Sequence, residues 1–279
     1  MTHPDVTQPA VTQPDMTHPE ATGQDLTHPA PVLSVRDLTK TFTLHAIGRE
    51  VVSLRSVSFT LYAGEHLAVI GASGAGKSSL LRCIYRNYLP DTGTVQVHDG
   101  GRTTDLTALD DRTMVRLRGR DFGYVSQFLD APPRQGPLRL VTNAARRRGL
   151  SPAAGEEAAA ASLAKLGVEE RLWDVDCSVL SGGERQRVNL AAGTVSPPRL
   201  LLLDEPVSAL DPANRARALT VIEDLRHQDV SVLAIYHDMT IIRRVASRVL
   251  LMENGVITAD GTPDEVLGSG VRGLEEVYA

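Results

Sequence analysis

The chain has 279 residues, of which 42% are apolar, enough for one large domain or two modest ones. Its 29 basic and 34 acidic side chains leave a formal charge of −5, so there is no global attraction to nucleic acid or anionic lipid. Cys83 and Cys177 belong to no C-x-x-C pair, no run reaches eighteen apolar residues, and no basic-then-apolar start is present; the expectation is a cytosolic thiol pair, with no disulfide framework, spanning helix or secretion signal.

Residues 1–30 form a degenerate pentapeptide array, MTHPD, VTQPA, VTQPD, MTHPE, ATGQD, LTHPA. Proline recurs through most units and removes a backbone donor each time, while few large apolar groups are present to offset ordering entropy. A disordered, partly polyproline-like tail is expected, with His3, His18 and His28 solvated in it. Order should begin near Val32, where Val32, Leu33, Val35 and Leu38 read as an edge strand and turn. Ser56–Leu61 alternates as a second strand, and HLAVI (His66–Ile70) is a short apolar strand running straight into glycines. Lys77–Arg86 reads as a helix ended by Pro90 and Asp91. Val95–His98 is a strand closed by Gly100 and Gly101, and Phe122–Val125 is another short strand.

Residues 128–180 differ in texture. From Leu138 on they are alanine-rich, notably AGEEAAAASLAKLG, and predict a helical subdomain inserted into a sheet domain. Arg146, Arg147 and Arg148 form a local basic patch there, either a partner contact or a solvated face. Strand–helix alternation then returns with Arg199–Leu203, Pro212–Arg226, Val230–Ile235, Met239–Ala246 and Val249–Met252. The pattern is α/β, with a largely parallel sheet covered by helices.

Three motifs carry chemistry. GASGAGKS comprises Gly71, Ala72, Ser73, Gly74, Ala75, Gly76, Lys77 and Ser78, followed by Ser79. It follows a predicted strand and opens a predicted helix, the context a phosphate-binding loop requires. Glycines let the backbone wrap around oxygen atoms, and successive N–H groups at a helix start face the phosphates. Lys77 should reach the β- and γ-phosphates of ATP, and Ser78 should offer its hydroxyl to Mg²⁺. The second motif is LLLLDEP, whose leucines Leu200–Leu203 require a central strand buried on both faces. Its carboxyl end opens into the crevice where parallel sheets bind ligands, placing Asp204 to hold Mg²⁺ and Glu205 as general base toward a water in line with the γ-phosphate.

The third motif, LSGGERQRV (Leu180–Val188), resembles the signature of ABC ATPases, with Glu184 where glutamine is usual. Ser181 reads as an N-cap, Glu184 completes a capping box, and Gly182 and Gly183 expose backbone N–H groups near a helix start, a second anion-binding terminus. The resemblance implies a P-loop NTPase of the ABC type over residues 31–270, with a largely parallel sheet core, an antiparallel β edge and the inserted signature subdomain, then a C-terminal tail, 271–279. It implies hydrolysis of ATP to ADP and phosphate in a head-to-tail homo- or heterodimer, in which Ser181, Gly182, Gly183 and Glu184 face the nucleotide on the opposite subunit's glycine loop. By the same resemblance Gln127 is the lid glutamine that senses Mg²⁺, and Asp211 in SALD crosses the dimer seam. His237 is the switch histidine near the γ-phosphate. Phe42 in KTF stacks on adenine, with Tyr62 as the alternative.

The stretches SSLLRCIYRNYLPDTGTVQV, GYVSQFL, ERLWDV and SGGERQRVNLA look like the L subunit of the bacterial carbon–phosphorus lyase system. This resemblance covers roughly Val32 to Val249. It implies a cytoplasmic ATPase of phosphonate catabolism, working beside soluble lyase enzymes and a second ABC protein, the K subunit. The segment GVITADGTPDEV also reads like the ending of many transporter ATPases. The alternative is therefore the ATPase subunit of a membrane transporter, of lipoprotein-release type by its lid and signature wording, working with a separate permease.

Overall fold

The computed structural model describes residues 29–44, 48–127, 129 and 131–268. The expected N-terminal tail, save Pro29 and Ala30, and the C-terminal tail 271–279 lie outside the described residues. Two sheets organise the rest. The first, antiparallel, has the order β2-β1-β4-β5, built from β1 (Pro31–Leu44), β2 (Arg49–Tyr62), β4 (Thr92–Asp99) and β5 (Arg102–Asp105). The second has the order β10-β9-β3-β8-β7-β6. It comprises β3 (His66–Ile70), β6 (Phe122–Val125), β7 (Leu200–Asp204), β8 (Ser231–Ile235), β9 (Arg248–Glu253) and β10 (Val256–Gly261). Its pairings are parallel except for β9 with β10.

Every residue of β3, β7 and β8 is buried, which is why these strands read as continuous apolar runs. Strand period two splits them between two cores. Ala68, Ile70, Leu201, Leu203, Val232 and Ala234 join one core, with helices over that face. Leu67, Val69, Leu200, Leu202, Leu233 and Ile235 join the other, with the antiparallel sheet and Leu80, Leu81 and Ile84 of α1 (Lys77–Ile84). The sheet is thus sandwiched, and the carboxyl ends of β3 and β7 stay open for the loops that follow.

The remaining helices start where the sequence supplies caps. They are α2 (Asp111–Arg120), α3 (Pro137–Arg147), α4 (Pro152–Lys165), α5 (Gly182–Thr194), α6 (Pro212–Asp224), α7 (Met239–Val245) and α8 (Pro263–Gly268). Asp110, Ser151, Ser181, Asp211 and Asp238 each accept a backbone N–H at an N-cap. Helices α3 and α4 lie in the expected helical stretch and pack on each other and on α5.

Two expectations need correction. The strand beginning near Val32 is not an edge: β1 pairs with β2 on one side and with β4 on the other, Leu33 opposite both Leu61 and Val97. Its apolar spacing is the same in either position, and the returning β4–β5 hairpin, far along the chain, decides which flank is covered. Helix α1 stops at Ile84, short of Arg86, because Arg86 takes a left-handed backbone (φ 61°) that an α-helix cannot continue. Strand β10 and helix α8 take up the GVITADGTPDEV segment. Both cysteines are free and buried.

Candidate active site

The glycine loop leaves β3 at Gly71 and enters α1 at Gly76, with Ala72, Ser73 and Gly74 at the exposed crest. Gly71 (φ 140°) and Gly76 (φ 102°) are glycines by necessity: a Cβ on the first would strike the Met252 carbonyl, and on the second the Ser53 carbonyl. Behind the loop, Gly255 donates to Ala75 O at 3.1 Å and Ser53 Oγ donates to Ser79 Oγ at 2.8 Å. The loop therefore rests on β2 and the β9–β10 turn. Gly74 (φ 80°), at the exposed crest, has no atom within 4 Å of a would-be Cβ, so it is glycine for its left-handed backbone and not for lack of space. Lys77 is buried and its Nζ donates to Gly71 O at 2.6 Å and Ala72 O at 2.8 Å. Burial lowers its pKa, while the Glu205 and Asp204 carboxylates raise it.

Across the crevice stands the end of β7. Asp204 is 1% exposed, and Ser78 Oγ donates to its Oδ1 at 3.1 Å and Tyr124 Oη to its Oδ2 at 2.9 Å. Burial raises the Asp204 pKa despite these two hydrogen bonds, which lower it. A buried carboxylate beside a hydroxyl is an oxygen donor pair of the kind hard divalent cations take, so these residues fit Mg²⁺. Glu205 leaves the strand in a left-handed conformation (φ 52°), strained for a non-glycine residue. Gln127 Nε2 donates to its Oε2 at 3.2 Å, and His237 Nε2 lies 2.6 Å from its Oε1. Gln127 is thus hydrogen-bonded to Glu205, while Ser78 is bonded to Asp204.

Helix α5 opens with the expected capping box: Ser181 N donates to Glu184 Oε2 at 2.7 Å, and Glu184 N to Ser181 Oγ at 3.3 Å. Ser181 and Gly182 are exposed. Helix α5 packs on α3, α4, α6 and β6, whereas α1 packs on β2 and β7. The Ser-Gly-Gly turn therefore stands with the helical subdomain rather than over the glycine loop. Asp211 caps α6, accepting from Asn214 N at 3.0 Å. Phe42 faces Val51 across the β1–β2 ladder, two residues from Ser53 and hence near the glycine loop, with Tyr88 edge-on to it at 5.1 Å between ring centroids. Tyr62 lies at the far end of β2, opposite Pro31.

Three further residues matter that sequence reasoning passed over: Tyr124, Gln186 and Asn189. Tyr124 links Asp204 to an open groove of about 590 Å³ between the sheet and the helical subdomain, lined also by Tyr85, Arg118, Leu129, Arg147 and Arg148. Gln186 and Asn189 are buried polar residues three apart on α5, a polar pair on an otherwise apolar face, and that was the available signal. Arg148 is committed inside the fold: it donates to Ala192 O at 3.1 Å and Gly193 O at 3.0 Å, and burial brings its pKa down to about 10. Arg146 and Arg147 are exposed.

A glycine-lined anion cradle, a buried carboxylate–hydroxyl pair and a second carboxylate held between His237 and Gln127 make a site suited to phosphoryl chemistry. The family model described as "ABC transporter" matches residues 54–208, more than half of the chain. The chain belongs to the ABC transporter family. It carries that family's ATP-binding, ATP-hydrolysing domain, a P-loop fold with a mixed sheet core and a helical subdomain. The arginine transport ATP-binding protein ArtM of Bacillus subtilis (strain 168) is 34% identical over 235 residues, 84% of this chain and 92% of that protein. The methionine import ATP-binding protein MetN of Brucella abortus (strain 2308) is 31% identical over 233 residues, 83% of this chain. The match spans only 60% of MetN's own length. Among solved structures, the dimeric ATP-binding cassette MJ0796 bound to ADP and Pi superposes with a TM-score of 0.75 at 24% identity, over 83% of this chain and 98% of that one. Among the described residues, no helix of this ABC domain is long and apolar enough to cross a membrane.

Proposed function

We propose that this chain is the ATP-hydrolysing subunit of a membrane importer, with an amino acid or similar small polar solute as cargo. The observation that carries it is Glu205: a carboxylate in a strained backbone position, bracketed by Gln127 and His237, beside a glycine loop with a buried lysine. The import and transport roles that the names of MetN and ArtM carry support the transport reading over a phosphonate enzyme assembly, and amino-acid import over lipoprotein release.

The loop Gly71–Ser79 binds the phosphates through backbone N–H groups, and Lys77 leaves the Gly71 and Ala72 carbonyls to pair with the β- and γ-oxygens. Ser78 and Asp204, together with Gln127, would hold Mg²⁺. Bound there, the ion would offset the negative charge of the phosphates. Glu205 orients and polarises the attacking water, and His237 steadies the Glu205 carboxylate next to the γ-phosphate. Phe42 covers the adenine. Ser181, Gly182, Gly183 and Glu184 complete the site of a second ABC subunit, homo- or heteromeric, and Asp211 lies at the seam between the two. The head-to-tail dimer is the working unit.

A transport ATPase acts on a membrane partner. The groove between Tyr85, Tyr124 and Arg147 is the docking place we assign to that permease. Its floor touches the site directly, because Tyr124 donates to Asp204. The wording IYRNYLPDTG after α1 favours a second reading, the ATPase of the carbon–phosphorus lyase system with soluble lyase partners.

Glu205→Gln tests the chemistry. The variant should bind ATP with near wild-type affinity, lose hydrolysis by about a hundredfold or more, and accumulate as an ATP-dependent dimer on sizing. A Glu205→Gln protein that turns over ATP normally removes Glu205 from the role. Affinity capture of the trapped variant from membrane extract separates the partners: a permease supports transport, and soluble phosphonate enzymes support the second reading.

A further inference from the structure

Helix α5 does more than present the Ser-Gly-Gly turn. Gln186, 2% exposed, uses both ends of its amide on the segment after β7. Its Nε2 donates to Glu205 O at 2.7 Å and to Ser208 Oγ at 3.4 Å, and its Oε1 accepts from Ala209 N at 2.9 Å. Asn189, 8% exposed and one helical turn on, donates from Nδ2 to Ser126 O at 2.7 Å, on the residue that precedes Gln127. One face of one helix therefore grips the backbone of Glu205 and of Ser126, the residue before Gln127, whose side chain donates to the Glu205 carboxylate. Glu205 needs such a grip, since its left-handed backbone is one that a glutamate leaves unless its surroundings hold it.

We propose that Gln186 and Asn189 are positioning residues that lock Glu205 and Gln127 into one geometry with the signature helix, so that any displacement of that helix moves the base and the lid glutamine together. The inference rests on the reading of Glu205 as general base. The hydrogen bonds of the two amides go to Glu205, Ser208, Ala209 and Ser126, so the predicted defect is in turnover and not in nucleotide binding. Both amides are buried with polar partners, so an apolar replacement of equal length removes the hold without opening a large cavity.

The test uses the full chain in its ATP-hydrolysing assembly. Gln186→Met keeps length and loses every hydrogen bond. Gln186→Glu keeps the acceptor for Ala209 N and sets an oxygen against Glu205 O. Asn189→Asp does the same to Ser126 O. Turnover is counted per site that binds a non-hydrolysable ATP analogue, so loss of folded protein does not register as loss of kcat. The expected result is a fall in kcat per site of about tenfold or more for both Gln186 variants, with KM for ATP within about twofold. In the Glu205→Gln background, Gln186→Met should lower the residual rate no further, because it acts through the group already removed. Wild-type kcat per site in Gln186→Met, or losses that multiply in the double variant, would overturn the proposal. Should Gln186→Met not fold, Gln186→Glu and Asn189→Asp carry the same test, and normal turnover per site in both overturns it equally. Normal turnover by Glu205→Gln alone is a separate outcome that removes the general-base reading itself.

Discussion

Asp204 shows how the site trades stability for function. Its pKa is raised in the folded chain, by burial first, so the unfolded chain releases this proton at lower pH than the folded one does. Stability therefore falls as pH climbs from the ordinary aspartate value, about 3.9, through the folded value, and the penalty persists in full above it. Asp204→Asn removes the buried charge while keeping a partner for Ser78 and Tyr124. Its denaturation midpoint at pH 7 should equal or exceed wild type, while ATPase activity should fall by about a hundredfold or more. A lower midpoint at pH 7 than at pH 4, relative to wild type, would contradict this account. Lys77, Ser78, Asp204, Glu205 and His237 were legible because each stands at a fixed spacing from a glycine loop or a strand end. Tyr124 and Gln186 were not, since what they touch lies 80 and 19 residues away, at Asp204 and Glu205.

Within elements, β3 carries a histidine where its neighbours are leucine and alanine. His66 is fully buried, its Nε2 lies 3.0 Å from Tyr236 Oη, and its Nδ1 has no partner. Burial, aided by Arg226, lowers its pKa to about 3. The unfolded chain takes up this proton near 6.5, so the contribution of His66 to stability is complete above that pH and is lost as pH falls toward about 3. His66→Gln should flatten the fall in denaturation midpoint across that window, and an unchanged acid limb would show that other groups govern it. The short strands β3, β7 and β8 were read nearly to the residue, because burial on both faces leaves a nearly unbroken apolar run. The antiparallel layer was read less well. Strands β1 and β2 run 14 residues each through bulges, mixing polar and apolar positions, so their reach exceeded any alternation visible in sequence.

At the scale of the molecule, the glycine loop and the Ser-Gly-Gly turn belong to different layers, and a site needing both needs two chains. Two inactive variants test this. Lys77→Ala disables the loop and Ser181→Arg disables the turn. Each alone should hydrolyse ATP at no more than a few per cent of wild type, as expected for loss of a phosphate-binding charge or donor. In a homodimer, mixing them equally should restore about a quarter of wild-type activity, since half the dimers are mixed and each of those has one intact site. A mixture as inactive as its components would mean that each site is completed within one chain or with an unlike partner. Mixing with the subunits of the trapped assembly distinguishes those two outcomes.

Local order along the chain settled the motifs: glycines at the turn after β3, a leucine run ending in two carboxylates, a serine three residues before a glutamate. Each depends on backbone geometry over fewer than about ten residues, which short-range sterics and hydrogen bonding dictate. What only the tertiary structure decided was which of these groups meet. The pairing of β1 on both edges, the meeting of Gln127 with Glu205, and the grip of α5 on Glu205 all follow from close packing of segments distant in sequence. Such contacts are selected by how two sheets and their helices fill space together, and no local pattern encodes that.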